Sequence, residues 1–316
     1  MKDKRGIEFS FGWIFALIVG AAILFLAIYA SVKFISSEKV VQETESAKQI
    51  ENLLTPIEVG YEEGKSVSPI EFKTETRLYN DCSTSGNFGQ QSIRISTLFG
   101  KKWQEQGFPV KSYNKYIFSP NIMQTKNVSA FSKPFEFPFR VANLLFLWSD
   151  KYCFVNPPLE IEEEITDLNL KNINFSEDIT KCEKNSKNVC FASNLENCDV
   201  VVNSEAKSVT RDGKIMFYEG ALIYGAILSE PELYECQVKR LMKRTSELSS
   251  VYRDKSILVA TRSDGCSGTI QQGLENFADR TGSLESSADL KDILLDAESL
   301  DSEHKGMTKC VLWERL

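Results

Sequence analysis

Histidine is almost missing from this chain: one residue of 316, His304. Imidazole is the commonest metal ligand and the usual general base, so its scarcity excludes most zinc sites and Ser-His triads. No Cys-x-x-Cys pair occurs either, which removes the zinc-ribbon and thioredoxin-like readings. The chain has no nucleophile elbow, no P-loop, no G-x-G-x-x-G and no H-E-x-x-H. No metal and no cofactor are therefore expected. Positive charge is in deficit, with 37 Lys+Arg against 44 Asp+Glu and a net charge of −7. That balance supplies no global basic field, and nucleic acid is not an expected partner. The 17 glycines and 9 prolines are too few for a collagenous or low-complexity chain.

Charge is also absent from residues 9–32, which read FSFGWIFALIVGAAILFLAIYASV. As a helix, these residues reach about 36 Å, against a hydrocarbon core of about 30 Å. A transmembrane helix over 9–35 is expected, with Trp13 and Tyr29 near its two interfaces. Lys2, Lys4 and Arg5 precede it, so the bias favours a cytoplasmic tail at 1–8 and the bulk of the chain outside. A cleaved signal peptide fits less well, because its apolar region is shorter and Ile28 would occupy the −3 position. Gly12, Ala16 and Gly20 recur every four residues on one face, the spacing that lets two helices approach closely. The expected partners are the bilayer, a second copy through this face, and an unspecified protein or surface.

What is plentiful is cysteine. Cys82, Cys153, Cys182, Cys190, Cys198, Cys236, Cys266 and Cys310 all follow the apolar run. An even number on one side of a span suits an oxidising compartment and up to four disulfides. Eight cysteines allow 105 pairings, so connectivity stays open, though the even spacing of Cys182, Cys190 and Cys198 suggests one local pair. Asn127-Val-Ser and Asn174-Phe-Ser are glycosylation sequons, compatible with export.

The remainder reads as α+β, mixed without a regular βαβ alternation. Residues 36–55 form a helical stalk with Val40, Ala47 and Leu54 at seven-residue spacing, which Pro56 ends. A strand-rich region follows over 56–171. EFKTETRLY and SIRISTL alternate, and LLFLW and YCFV flank a hairpin turn at Ser149-Asp150-Lys151. In Pro134–Phe139 two prolines surround Phe135, Phe137 and Phe139, as an edge strand or an extended loop that packs on the core or displays its rings to a partner. An acidic helix covers 159–171. The α+β region 172–316, one domain with 56–171 or a second, starts with a stapled loop over 172–199.

Beyond it, DVVVN is a strand and SVTRDGKIMFY a hairpin about Asp212-Gly213. GALIYGAIL is a short helix or strand. Ser229 and Glu232 resemble a capping box for a helix from Glu230 to Arg253. Its stripe is Tyr234, Val238, Leu241, Thr245, Leu248 and Tyr252. SILVAT follows as a buried strand, then helices near 269–280 and 284–300.

Reactive candidates are few. Cys266, in Asp264-Gly265-Cys266-Ser267-Gly268, would need His304 as its base, and a disulfide cysteine in a glycine turn is the simpler reading. Glu162–Glu164 and Glu62-Glu63 read as solvated acids, although carboxylate pairs leave an anchored hydrolase as an alternative. Lys239, Arg240, Lys243 and Arg244 form a basic ridge opposite the apolar stripe, solvated and paired with Glu235 and Glu247, or turned to anionic headgroups.

Arg5-Gly6-Ile7-Glu8-Phe9 before the span resembles type IV pilin-like leaders, which end a basic segment in Gly and are cut there. In that family Glu lies fifth after the cut; Glu8 is second after Gly6, and only Glu8-Phe9 matches the archaeal variant. RGIEFSFGWIFALIVG, FSKPFEFPF, DKYCFV and LYECQVKRLMKR resemble uncharacterised single-pass membrane proteins of archaeal genomes, which implies anchoring and no activity. The expected role is a non-enzymatic envelope, surface or partner-binding component, with a pilin-like subunit processed after Gly6 as an alternative.

Overall fold

The computed structural model describes residues 11–60, 69–191, 197–262, 266, 268–307 and 310–313. The leader motif, Glu62-Glu63 and most of the Asp264–Gly268 loop lie outside them. Helix and sheet are mixed, as the α+β reading expects.

The chain enters through one helix, α1 (Phe11–Gly60), of 50 residues. It does not stop at Pro56, which lies inside it. The stalk is also not free. Ala47, Ile50, Leu54 and Ile57 repeat at three- and four-residue spacing, and all are buried in a core shared with the first sheet. Packing of that stripe outweighs the hydrogen bond a proline removes.

The first sheet has seven strands: β1 (Ile70–Ser83), β2 (Gln90–Phe99), β3 (Lys102–Trp103), β4 (Val110–Ser112), β5 (Tyr116–Phe118), β6 (Ile122–Glu136) and β7 (Arg140–Trp148). Their order is β3-β2-β1-β6-β7-β5, with β4 also on β2, and every pairing is antiparallel except β5 with β7. Both faces are covered. Ile117, Val128, Ala130, Leu145 and Leu147 turn toward α1. Their neighbours Tyr116, Phe118, Phe131, Leu144, Phe146 and Trp148 turn into the larger core on the other side. A strand buried on both faces loses its polar alternation, which explains the continuous apolar run LLFLW.

Phe135, Phe137 and Phe139 are each 1% exposed, so they are core residues and offer no partner groove. Phe137 and Phe139 pack near Phe277. Pro134 sits in β6 opposite Asn143, beyond Val128, where the pairing with β1 has ended. There the strand needs no amide donor on that side.

The second sheet has six strands: β8 (Lys151–Val155), β9 (Ile173–Ser176), β10 (Ser186–Cys190), β11 (Val200–Asn203), β12 (Ser208–Arg211) and β13 (Lys214–Phe217), ordered β13-β12-β11-β10-β8-β9. β7 and β8 therefore do not form a hairpin about Ser149–Lys151; the chain changes sheet there. Strand β8, helix α2 (Leu159–Asp167) and β9 make a parallel crossover. The expected stapled loop thus contributes β9 and β10. The β12–β13 hairpin turns at Asp212 and Gly213, with φ of 51° and 73°, as a two-residue turn of this hand requires.

GALIYGAIL resolves as α3 (Leu222–Leu228), buried throughout. Arg211 donates to the Ile227 and Ser229 carbonyls and so satisfies its C-terminal end. No capping box forms at Ser229: its hydroxyl is buried without a hydrogen-bond partner, and Glu232 pairs with Lys214. Helix α4 (Pro231–Arg262) instead opens on proline, whose missing amide costs nothing at that position.

α4 also absorbs SILVAT, which is not a strand. Ile257 and Leu258 are about half exposed, Ser256 is buried and bonded to the Arg253 carbonyl, and Lys255 reaches the Leu312 carbonyl. The β-branched residues yield to continuation of a helix already packed on α5 (Gly268–Gly282). Helix α6 (Leu290–Gly306) is the last regular element among the described residues.

Four disulfides join Cys82 to Cys236, Cys153 to Cys182, Cys190 to Cys198 and Cys266 to Cys310. Cys190–Cys198 is a local pair of the kind the spacing suggested. Cys82–Cys236 ties β1 to α4 across 154 residues.

Candidate functional site

The most unusual region is the first half of α1. From Phe11 to Phe34 none of the 24 residues is buried. Phe11, Phe25 and Phe34 are 83%, 71% and 73% exposed. Thirteen of the 24 are Phe, Ile, Leu or Val. Gly12, Ala16 and Gly20 lie on this segment, and a Cβ added to either glycine would touch nothing within 4 Å.

Above that segment the helix meets the sheet. Lys39 lies over the Phe99 ring, 5.5 Å from its centroid. One turn further, Glu43 Oε1 accepts from the Thr97 amide at 3.2 Å and from its hydroxyl. Gly107 follows closely, because a Cβ there would collide with the Glu43 and Thr44 backbone. Between α1 and the β1–β2 end lies a groove of 720 Å³. Its walls combine Ile50, Ile70, Phe72 and Leu98 with Glu43, Glu45 and Glu71. These acids are not presented as a facing catalytic pair: Glu43 is turned to Thr97 and Glu45 pairs with Lys48 at 2.8 Å.

The basic ridge of α4 is not a solvated face. Arg240 is fully buried and donates to the carbonyls of Phe88, Lys115 and Tyr113 and to Gln237 Oε1, at 2.7–3.2 Å. Lys243 caps the Thr84 and Gly86 carbonyls, and Arg244 the Val141 carbonyl. Glu235 turns instead to the Ser287 amide and hydroxyl. These cations hold loops and strand β7 of the first sheet onto α4. Burial pushes the Arg240 guanidinium down to about 10. The expectation missed this because an amphipathic reading assumes one buried face, and α4 has two.

Cys266 is in a disulfide, so it offers no thiolate. His304 accepts from the Leu312 amide at 3.0 Å and stacks on Trp313, which fixes the C-terminal segment. Among the described residues no group of three His, Cys, Asp or Glu could hold a metal ion. Asn127 on β6 and Asn174 on β9 are exposed. No family model, no curated protein and no solved structure matches this chain.

Proposed function

We propose that this protein is a single-pass, membrane-anchored component of the cell envelope whose disulfide-stapled α+β head lies outside and binds a surface or protein partner. One observation carries the reading: an uncovered apolar helix segment of about 36 Å is continuous with a helix half built into the head's core. Water is a poor solvent for that segment, whereas each of its thirteen large aliphatic and Phe residues favours insertion by a few tenths of a kcal/mol near a helix centre. The disulfides support the outside placement, because such bonds persist in oxidising compartments. The charge order Lys2, Lys4, Arg5 before the segment supports a cytoplasmic N-terminus.

The test is the intact mass of the native protein, extracted from membranes with its free thiols blocked. The expected result is a chain found in the membrane fraction carrying no blocking groups. Eight blocked thiols would place the head in a reducing compartment and overturn the orientation.

A pilin-like subunit is the second reading. The same uncovered segment could be covered by neighbouring copies, and the exposed Gly12, Ala16 and Gly20 face would let them approach. It expects a mature N-terminus at Ile7; an intact Met1 or Lys2 would remove it.

A further inference from the structure

The β2–β3 turn sits beside α1 at a height the helix itself sets. Lys39 lies five residues beyond Phe34, about 7.5 Å along the axis. A headgroup layer is about 5–7 Å thick per leaflet. Lys39 therefore stands at the outer edge of that layer if the segment ending at Phe34 spans the hydrocarbon. Phe99 is packed against Lys39 and is 73% exposed. Gly100, at φ +64°, turns the chain, and Lys101 and Lys102 follow, both exposed. Trp103 closes the turn by pairing opposite Leu98, its ring held by the Arg77 guanidinium at 4.0 Å. An exposed phenylalanine next to two lysines and a tryptophan is the composition favoured at a bilayer interface: aromatic ring among the headgroups, ammonium groups on phosphates.

We infer that the β2–β3 turn is a second membrane contact, with Phe99 seated in the interface and Lys101 and Lys102 on lipid phosphates. This rests on the anchor reading. Its occupant is the phospholipid surface, chosen because α1 is continuous from the apolar segment to the residue that Phe99 touches. Two contacts, the helix and the turn, fix both height and rotation of the head over the membrane.

The experiment is hydroxyl-radical footprinting of the full chain in phospholipid nanodiscs, read by peptide mass spectrometry at Trp13 and Phe99. A companion chain carries seven polar helix-forming residues after Ser36. The insertion adds about two turns and about 10.5 Å, lifting the head while nearly preserving its direction. The expected result is that Trp13 is protected in both chains, while Phe99 oxidises several-fold faster in the lifted one. K101E/K102E in the native-length chain should also speed Phe99 oxidation with Trp13 unchanged. Equal Phe99 rates in the native and lifted chains, with Trp13 protected, would overturn the turn contact and leave the anchor standing. Oxidation of Trp13 in the nanodisc as fast as in denatured protein would overturn both.

Discussion

At the residue scale, buried polar side chains do much of the joining. Arg240 satisfies three backbone carbonyls from loops that have no strand partner there. Arg240→Leu should lower unfolding free energy by about 3–5 kcal/mol, because those carbonyls and Gln237 Oε1 lose their donor. Arg240→Lys should recover part of this, since an ammonium lacks the guanidinium fork. Denaturant midpoints of the two variants check both statements.

Tyrosines set the alkaline limit. Burial raises Tyr116, Tyr152, Tyr218, Tyr234 and Tyr252 above the usual 10.0. The folded state keeps these protons where the unfolded state has lost them, so their contribution is whole below pH 10 and declines as pH rises beyond it. Arg240 acts in the opposite direction above about 10, but it is one group against five. Stability should therefore fall above pH 10. Tyrosinate absorbance should show part of the tyrosines titrating only as the protein unfolds.

At the scale of elements, the sequence is informative where one face is buried and misleading where two are. The alternation of Ile93 and Ile95 gives β2, and Asp212-Gly213 gives the β12–β13 hairpin. SILVAT misleads because its β-branched residues suit a strand, while the deciding fact is that α4 is already packed when it reaches them. The aromatics of Pro134–Phe139 are core for a reason no local pattern carries: α5 and Trp313 lie over them. Phe137→Ala should accordingly cost about 3–5 kcal/mol, measured by chemical unfolding.

Disulfide pairing is likewise invisible in spacing except for the local bridge. By loop length, removing Cys82–Cys236 as a double serine variant should cost about 5 kcal/mol, and removing Cys190–Cys198 about 2.5 kcal/mol. Comparing the two unfolding curves tests that order. Equal losses would mean that native packing, rather than chain entropy, sets their value.

At the scale of the molecule, α1 is one helix with two surroundings: its first half is uncovered and its second half is packed on the first sheet. A chain beginning at Lys39 keeps Ala47, Ile50, Leu54 and Ile57 in place and should fold as a soluble head. A chain beginning at Tyr61 exposes the sheet face they cover and loses roughly 1.5–3 kcal/mol for each large side chain removed. Circular dichroism melts and solubility of the two truncations decide it. The apolar segment is legible in the sequence alone. The candidate groove and the β2–β3 turn are not, because they arise where residues 39–50 meet residues 70–104, a conjunction that only tertiary packing creates.

The continuity of α1 also has a mechanical meaning. A flexible tether lets a head swivel, so a sideways pull on it is spent in the tether. Here the rod that carries the apolar segment is the same rod that passes beneath the sheet, with no joint between them from Phe11 to Gly60. Load applied to the head arrives at the other end as tilt of the apolar segment, and tilt of that segment arrives at the head as a change in its bearing.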